Sequence, residues 1–380
     1  MRILAIHSGA LADSTKHSPV DEWRIGRPIR ELKKHLPKGW VIDERPSLIP
    51  DIQKYKDLSE FSHEEMEIAF TDLCSYDIVF DSYQGNPTMY TMLKVAEQRS
   101  GVQHIMDVDD DMFAINPDNP VWTKLDDERV YFMQCMIRDN GWVSTTTPEL
   151  AKIFKVRRKA PAKTVFVVPN YISDVYAHPP VDNGDKLVIG YFGGSSHYKD
   201  MHNSGVIEAL ERIMHEHKNV YFKSVGMILD KYLPRGRTTV EGGAKGSAWL
   251  DEVYPSLNFD IAIAPILDNI FNAGKSNIKW QESTRMGAAF VCSDLGPYMP
   301  LSRKVARKVP ENTPDAWYQA LKDLVISSIE RKALVQAAQA ELKQNWRLED
   351  HWQVYKDMFQ TVYDSAHVKI KAKELTTSAT

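Results

Sequence analysis

Several features that would place this 380-residue chain in a specialised class are scarce or missing. It has three cysteines, Cys74, Cys135 and Cys292, in apolar surroundings and without the CxxC or Cys/His spacing of a zinc site. A disulfide framework or a cysteine-bound metal is therefore not expected. We predict reduced core cysteines in a cytoplasmic protein.

Long apolar runs are also missing. No segment approaches the ~20 apolar residues that a membrane-spanning helix requires, so we expect no transmembrane segment. The amino end, MRILAIHSGA, is typical of a strand and has no cationic segment before it, so we expect no signal peptide. The formal net charge is only −4, and any basic surface must therefore be local.

Short apolar runs alternate with helical patterns along the whole chain. Such alternation predicts parallel sheets with helices on both faces, and the length suits two domains. We predict an α/β fold of two doubly wound, Rossmann-like domains facing across a cleft. The first spans 1–178 and includes a helix at about 349–366, the second spans 185–347, and 367–380 forms a loose tail.

The most informative stretch runs from Phe259 to Tyr298 and reads as strand, polar loop, helix and strand. A loop that leaves a parallel strand and enters a helix offers free N–H groups and a partial positive charge to an anion. Lys275 and Ser276 stand at the predicted helix start, and Glu282 follows two turns later, suited to a ribose diol. The alternative is an ordinary βαβ unit with a solvated lysine and glutamate.

A second turn of small residues follows the predicted strand 187–192. Gly193 and Gly194 would let the backbone approach a diphosphate, and Ser195 and His197 are the preferred ligands there.

An acidic cluster, Asp107-Val108-Asp109-Asp110-Asp111, follows the predicted strand 102–107. Carboxylates at the carboxyl end of a parallel strand lie where such sheets bind ligands. Asp109 and Asp110 could act as a general base or bind a sugar hydroxyl, or they could cap a helix. A divalent-metal site is the third and least favoured interpretation.

A predicted helix over about 22–35 carries cations at a spacing of three, beginning with Arg24, Arg27 and Arg30. This spacing predicts a broad basic stripe. The stripe is either a solvated face or a contact for an anionic partner such as a phosphorylated acceptor, a membrane surface or nucleic acid. Trp23 is the one nearby aromatic that a membrane contact would use.

The 259–298 stretch resembles the nucleotide-sugar site of retaining GT-B glycosyltransferases of the group 1, family 4-like type. The matched positions are Asp260, Ala264, Pro265, Asn269, Phe271, Asn272, Lys275, Ser276, Lys279, Glu282, Gly287, Val291, Ser293 and Asp294. The resemblance implies donor contacts from Gly193, Gly194, Ser195, His197, Met227, Asn272, Lys275, Ser276, Lys279 and Glu282. One departure is Gly274, where the wider family carries a second glutamate.

The resemblance also implies chemistry. It implies sugar transfer with retention from a nucleoside-diphosphate sugar, by default UDP-glucose, to a hydroxyl, without a cofactor or a metal, and with Asp109, Asp110 and Lys275 as catalytic groups. The final helix would cross back to the first domain. The compact form is similar to bacteriophage glycosyltransferases, which implies the host cytoplasm.

The acceptor stays open. Arg24, Arg27 and Arg30 would bind an anionic acceptor, either a hydroxymethylated pyrimidine in DNA or a polysaccharide or lipid-linked glycan. Gly274 leaves a noncatalytic nucleotide-sugar-binding protein as the alternative.

Overall fold

The computed structural model describes residues 1–7, 19–46, 62–82, 85, 87–115, 127–139, 141–156, 165–173, 183–229, 231–242 and 257–377. The chain divides into two compact units. The first comprises Met1–Asp110, Leu125–Pro169 and Leu348–Thr380, and the second comprises Asp111–Lys124 and Asn170–Arg347. The boundary between the two predicted domains, 178–185, lies mostly outside the described residues.

The first unit contains a parallel six-stranded sheet in the order β2-β1-β3-β4-β5-β6. Its strands are β1 (Arg2–Ile6), β2 (Val41–Arg45), β3 (Ile78–Asp81), β4 (Gln103–Val108), β5 (Trp142–Thr145) and β6 (Val165–Val167). Strands β3, β4 and β5 are almost entirely buried, as the apolar runs predict for strands covered on both faces.

The helical segments of this unit connect its strands. They are α1 (Pro19–Asp21), a π-helical turn (Glu22–Gly26), α2 (Arg27–Lys33), α3 (His63–Leu73), α4 (Pro87–Ser100), α5 (Asp127–Asp139) and α6 (Pro148–Val156). The Thr147 hydroxyl accepts a hydrogen bond from the Leu150 N–H at 3.1 Å, which caps α6 as its Thr-Pro-Glu start predicts.

The end of the chain returns to this unit, as the fold prediction expects. Buried apolar side chains at Tyr355, Phe359 and Val362 recur at helical spacing, and the Phe359 ring meets Phe80 of β3 edge-on at 5.4 Å. The closing helix extends to Thr377, whereas the sequence predicts a loose tail from residue 367. The short helix Leu348–His351 and the long helix Gln353–Thr377 form this last segment.

The second unit contains another parallel six-stranded sheet, in the order β12-β11-β10-β7-β8-β9. Its strands are β7 (Leu187–Phe192), β8 (Val220–Val225), β9 (Thr238–Glu241), β10 (Ile261–Ala264), β11 (Ala289–Ser293) and β12 (Arg307–Val309). Its helices are α7 (Tyr198–Asn203), α8 (Val206–Glu216), α9 (Ile270–Ala273), α10 (Ile278–Arg285), α11 (Pro314–Ile326) and α12 (Ser328–Asn345).

Two local differences from the sequence prediction concern the central stretch. The polar loop after β10 holds the one-turn helix α9, because the Asn269 side chain accepts the N–H of Asn272 and caps it. The following helix starts at Ile278 rather than at Lys275. Lys275 and Ser276 therefore lie in the loop before the helix.

The cysteines and the apolar content of the helices can be compared with the sequence predictions in the described residues. Cys135 and Cys292 are buried, Cys74 is half-buried, and all three are free thiols. Within the described ranges, no helix combines the length and apolarity needed to cross a membrane.

Candidate functional site

The sheet of the second unit reverses its winding between β7 and β10. Strand β8 lies on one side of β7 and β10 on the other, so the loops that leave the carboxyl ends of β7 and β10 diverge from a shared edge. Open α/β sheets bind ligands at such a switch point. Gly193 to His197 follow β7, and the loop 265–277, here called the β10 loop, follows β10.

Asp200 connects the two loops. One carboxylate oxygen, Oδ1, accepts hydrogen bonds from the Leu267 N–H at 2.9 Å and from Asn272 Nδ2 at 2.8 Å. The other, Oδ2, lies 2.9 Å from His197 Nδ1. Asp200, Asn272 and His197 are all buried. A buried carboxylate that accepts from two N–H groups and faces a ring nitrogen holds the β7 turn and the β10 loop in one arrangement.

His197 stays neutral in this environment. Burial lowers its pKa most, the charges of Lys275 and Lys279 lower it further, and Asp200 raises it, with the pKa near 4 as the result. Burial of the ring and the two nearby cations lower the pKa of His197 by more than the one carboxylate raises it.

Lys279 projects from α10 toward the β7 turn. Its ammonium donates to the Phe192 carbonyl and lies 5.2 Å from the centroid of the Tyr191 ring. Burial lowers the pKa of Lys279 to about 8, against the opposing charge of Glu282. A methyl group on Gly193 would lie 2.7 Å from this ammonium and 2.6 Å from the Tyr191 hydroxyl, so the glycine is needed for the close approach.

Lys275 and Ser276 lie in the β10 loop. The Lys275 ammonium lies 4.2 Å from the centroid of the Phe271 ring. Ser276 Oγ accepts a hydrogen bond from Asn170 Nδ2 at 2.9 Å, which leaves its O–H to donate elsewhere. Gln281 donates to the Asn170 carbonyl at 2.8 Å, so α10 is tied to the start of this unit.

Glu282 and Met227 are both buried. Glu282 lies on α10 close enough for its charge to raise the pKa of Lys279. Met227 follows β8, and its carbonyl accepts from the Ser224 hydroxyl. Gly194 is exposed, and a methyl group there would meet no atom within 4 Å. Ser195 begins a 3₁₀ turn that ends at His197.

Two contributors were not among the predicted site residues. Asp200 joins the loops, and its spacing of three from His197 is the signal that could have identified it. Asn170 holds Ser276, and it lies 106 residues away in sequence, so no local signal points to the pair.

The acidic cluster begins with a buried ion pair in the first unit. Arg24 Nε and Nη2 donate to the two oxygens of Asp107 at 2.8 and 2.7 Å, and Nη1 donates to the Val168 carbonyl at 2.6 Å. Ser144 also donates to Asp107. Burial alone would lower the pKa of Arg24, but Asp107 and other nearby groups raise it above its ordinary value. Asp109 and Asp110 are half-buried.

The predicted basic stripe is wrong in its geometry. Arg24 is 1% exposed, and the whole turn 22–26 is buried and π-helical, with the Arg27 N–H bonded to the Glu22 carbonyl. A wider turn changes which side chains face the core, and Arg24 points to Asp107 rather than to solvent. Trp23 is buried as well, so it offers no anchor to a membrane surface.

The other cations of this helical segment have acidic partners. Arg30 and Arg27 pair with Glu22, which is itself buried. Further along, Lys33 lies 3.0 Å from Glu44 and Lys34 lies 2.6 Å from Glu31. Burial would raise the pKa of Glu44, but hydrogen bonds with His7 and Lys33 lower it to about 2. The segment is therefore largely neutralised rather than a positive track. The sequence has another basic segment at 152–163, most of which lies outside the described residues.

Across the described ranges, no group of three or more His, Cys, Asp or Glu side chains is arranged to hold a metal ion.

The fold of this chain is similar to those of several solved structures, although its sequence does not match a known family model. No protein-family model and no curated protein match the sequence. Sucrose-phosphate synthase from Thermosynechococcus elongatus superimposes with a TM-score of 0.68 at 12% identity, over 96% of this chain and 100% of that one. HepE from Anabaena, in complex with UDP-glucose, gives 0.63 at 13% identity over 96% and 100%. A glycosyltransferase from Rickettsia africae gives 0.59 at 14% identity over 96% and 98%. The two-sheet α/β fold is that of GT-B glycosyltransferases, as predicted.

Proposed function

We propose that this protein is a glycosyltransferase that uses a nucleotide sugar, with UDP-glucose as the first donor to test. The observation that carries the proposal is the set of groups at the switch point of the second sheet, where Lys275, Lys279 and His197 influence one another electrostatically. Two cations at this edge suit a diphosphate. The fold supports the same assignment, since HepE carries UDP-glucose on it.

Each residue of this set has its own role in the proposed reaction. Lys275 and Lys279 neutralise the leaving diphosphate, and the Ser276 hydroxyl, oriented by Asn170, donates to one of its oxygens. Glu282 accepts hydrogen bonds from the ribose diol, and Met227 and Gly193 contact the nucleotide. Asp109 and Asp110 act on the acceptor or sugar hydroxyls. Retention of configuration and a hexose donor follow from the family resemblance.

The acceptor is an anionic or glycan hydroxyl. A hydroxymethylated pyrimidine in DNA, in a bacteriophage setting, stays a proposal that rests on resemblance. A DNA track needs unpaired cations, and Arg24, Arg27 and Arg30 are paired with acids. We therefore propose a glycan or lipid-linked acceptor on equal terms with DNA.

The test offers UDP-glucose and other nucleotide sugars with hydroxymethylated DNA, oligosaccharides and lipid-linked glycans, and reads the products by mass spectrometry. We expect sugar transfer to one acceptor class and slow donor hydrolysis without acceptor. Lys275→Ala and Glu282→Ala should each lower turnover at least about tenfold, the cost of one charged contact. The matched control is Lys218→Ala, because Lys218 is exposed at the opposite, amino-terminal edge of the same sheet.

Two outcomes would count against the proposal. Unchanged donor affinity and turnover in both variants would remove the donor assignment. Tight nucleotide-sugar binding without transfer or hydrolysis would favour the noncatalytic alternative that Gly274 raises.

A further inference from the structure

The ring of His197 is held in one tautomer by its partner. Asp200 Oδ1 already accepts from Leu267 N–H and Asn272 Nδ2, and Oδ2 faces His197 Nδ1. A carboxylate whose oxygens already accept from two N–H groups acts as the acceptor toward the ring nitrogen as well. The hydrogen between the two side chains therefore sits on Nδ1.

The same surroundings keep the ring neutral. The ring is buried and lies within the field of Lys275 and Lys279, and both burial and these cations disfavour a second proton. A neutral ring with a hydrogen on Nδ1 has a bare lone pair on Nε2. Among the described residues, Asp200 is the only hydrogen-bond partner of the ring. Nε2 is thus an acceptor that awaits a donor.

We propose that His197 Nε2 accepts a hydrogen bond from a hydroxyl of the bound nucleotide sugar, and that His197 does not donate to the diphosphate. This inference rests on the function proposed above and reverses the sequence-based expectation of a phosphate ligand. Phosphate oxygens are acceptors and would meet the Nε2 lone pair without a hydrogen between them. Ribose and hexose hydroxyls can donate. The two lysines then serve the phosphates, and His197 recognises the sugar part.

Two variants separate the two nitrogens of the ring. In His197→Asn the side-chain amide can keep an N–H near the Nδ1 position and thus the bond to Asp200, but nothing replaces Nε2. In His197→Gln the longer amide places an oxygen near the Nε2 position. Thermal unfolding of both variants checks that the loops stay folded.

The measurements are the nitrogen chemical shifts of ¹⁵N-histidine-labelled wild-type protein and the affinities for UDP-glucose, UDP and inorganic pyrophosphate. We expect a protonated Nδ1 and an unprotonated Nε2 without ligand. His197→Asn should weaken UDP-glucose roughly three- to tenfold, the cost of one hydrogen bond, and leave pyrophosphate within about twofold. His197→Gln should recover part of the loss. A parallel loss for UDP assigns a ribose hydroxyl, and unchanged UDP affinity assigns a hexose hydroxyl.

The proposal is overturned if pyrophosphate and UDP-glucose weaken equally in His197→Asn, or if Nε2 carries a hydrogen in the wild-type protein. If wild-type protein binds none of the three ligands, the proposed function fails instead. The nitrogen shifts would still decide the tautomer in that case.

Discussion

Replacing Arg24 with methionine should destabilise the first unit rather than weaken acceptor binding. The change removes three hydrogen bonds of 2.6–2.8 Å, two to Asp107 and one to the Val168 carbonyl. It also leaves Asp107, which is 2% exposed, with only the Ser144 hydroxyl among these partners. Hydrogen bonds to charged groups contribute about 1.5–3 kcal/mol each. Part of that sum is offset because burying the guanidinium costs solvation, so we expect a net loss of about 3–5 kcal/mol.

The assay is native-state hydrogen exchange on peptides from β3 and β4, which reports the opening free energy of this unit even if the two units unfold separately. Lys34→Met is the matched control on the same helical segment, because the Lys34 side chain is 64% exposed and its pairing with Glu31 should contribute less than about 1 kcal/mol. The double variant Arg24→Met, Asp107→Leu should recover most of the loss, since it removes the unpaired buried carboxylate.

The result that would refute this reasoning is specific. If Arg24→Met changes the opening free energy by less than about 1 kcal/mol while transfer to the acceptor falls, Arg24 is an acceptor ligand, as the basic spacing first predicted. The buried pair would then contribute little to stability.

Three further predictions concern the proposed donor site. The pKa of Lys279 is lowered from 10.5 to about 8, so the charged fraction of the amine falls from about one half at pH 8 to about one eleventh at pH 9, and UDP affinity should fall about fivefold over that range. Lys279→Arg should abolish this decline; a decline of equal size in the arginine variant would contradict the assignment. Burial of the charged Lys279 side chain should lower the free energy of unfolding fully below pH 8. As the pH rises from 8 to 10.5 the folded protein loses this charge first, so the free energy of unfolding should rise, which urea unfolding across that range would measure. Gly193→Ala should weaken the binding of UDP-glucose by about 1 kcal/mol, or roughly fivefold, because the added methyl group displaces the Lys279 ammonium. Gly194→Ala should leave the affinity unchanged, because a methyl group there meets no atom within 4 Å. Equal calorimetric affinities for the two variants would refute the steric argument.

Much of the fold could be predicted because its signals are local. The strand Leu187–Phe192 begins and ends where the sequence predicts, and the predicted strand 102–107 is found as Gln103–Val108. Short apolar runs bounded by turn residues determine strands, and alternation with helices determines parallel sheets. The order of segments in 259–298 likewise indicated a loop and helix after a buried strand.

What the sequence determined by itself was thus the succession of strands and helices and the loops that carry charge. The tertiary structure decided which charge each residue faces. Arg24 meets Asp107 from 83 positions away, and Asn272 meets Asp200 from 72. The pKa and hydrogen-bonding role of an ionisable side chain depend on its burial and its neighbours. A spacing of three therefore predicted an exposed stripe at Arg24, where a π-helical turn and a distant carboxylate made a buried pair.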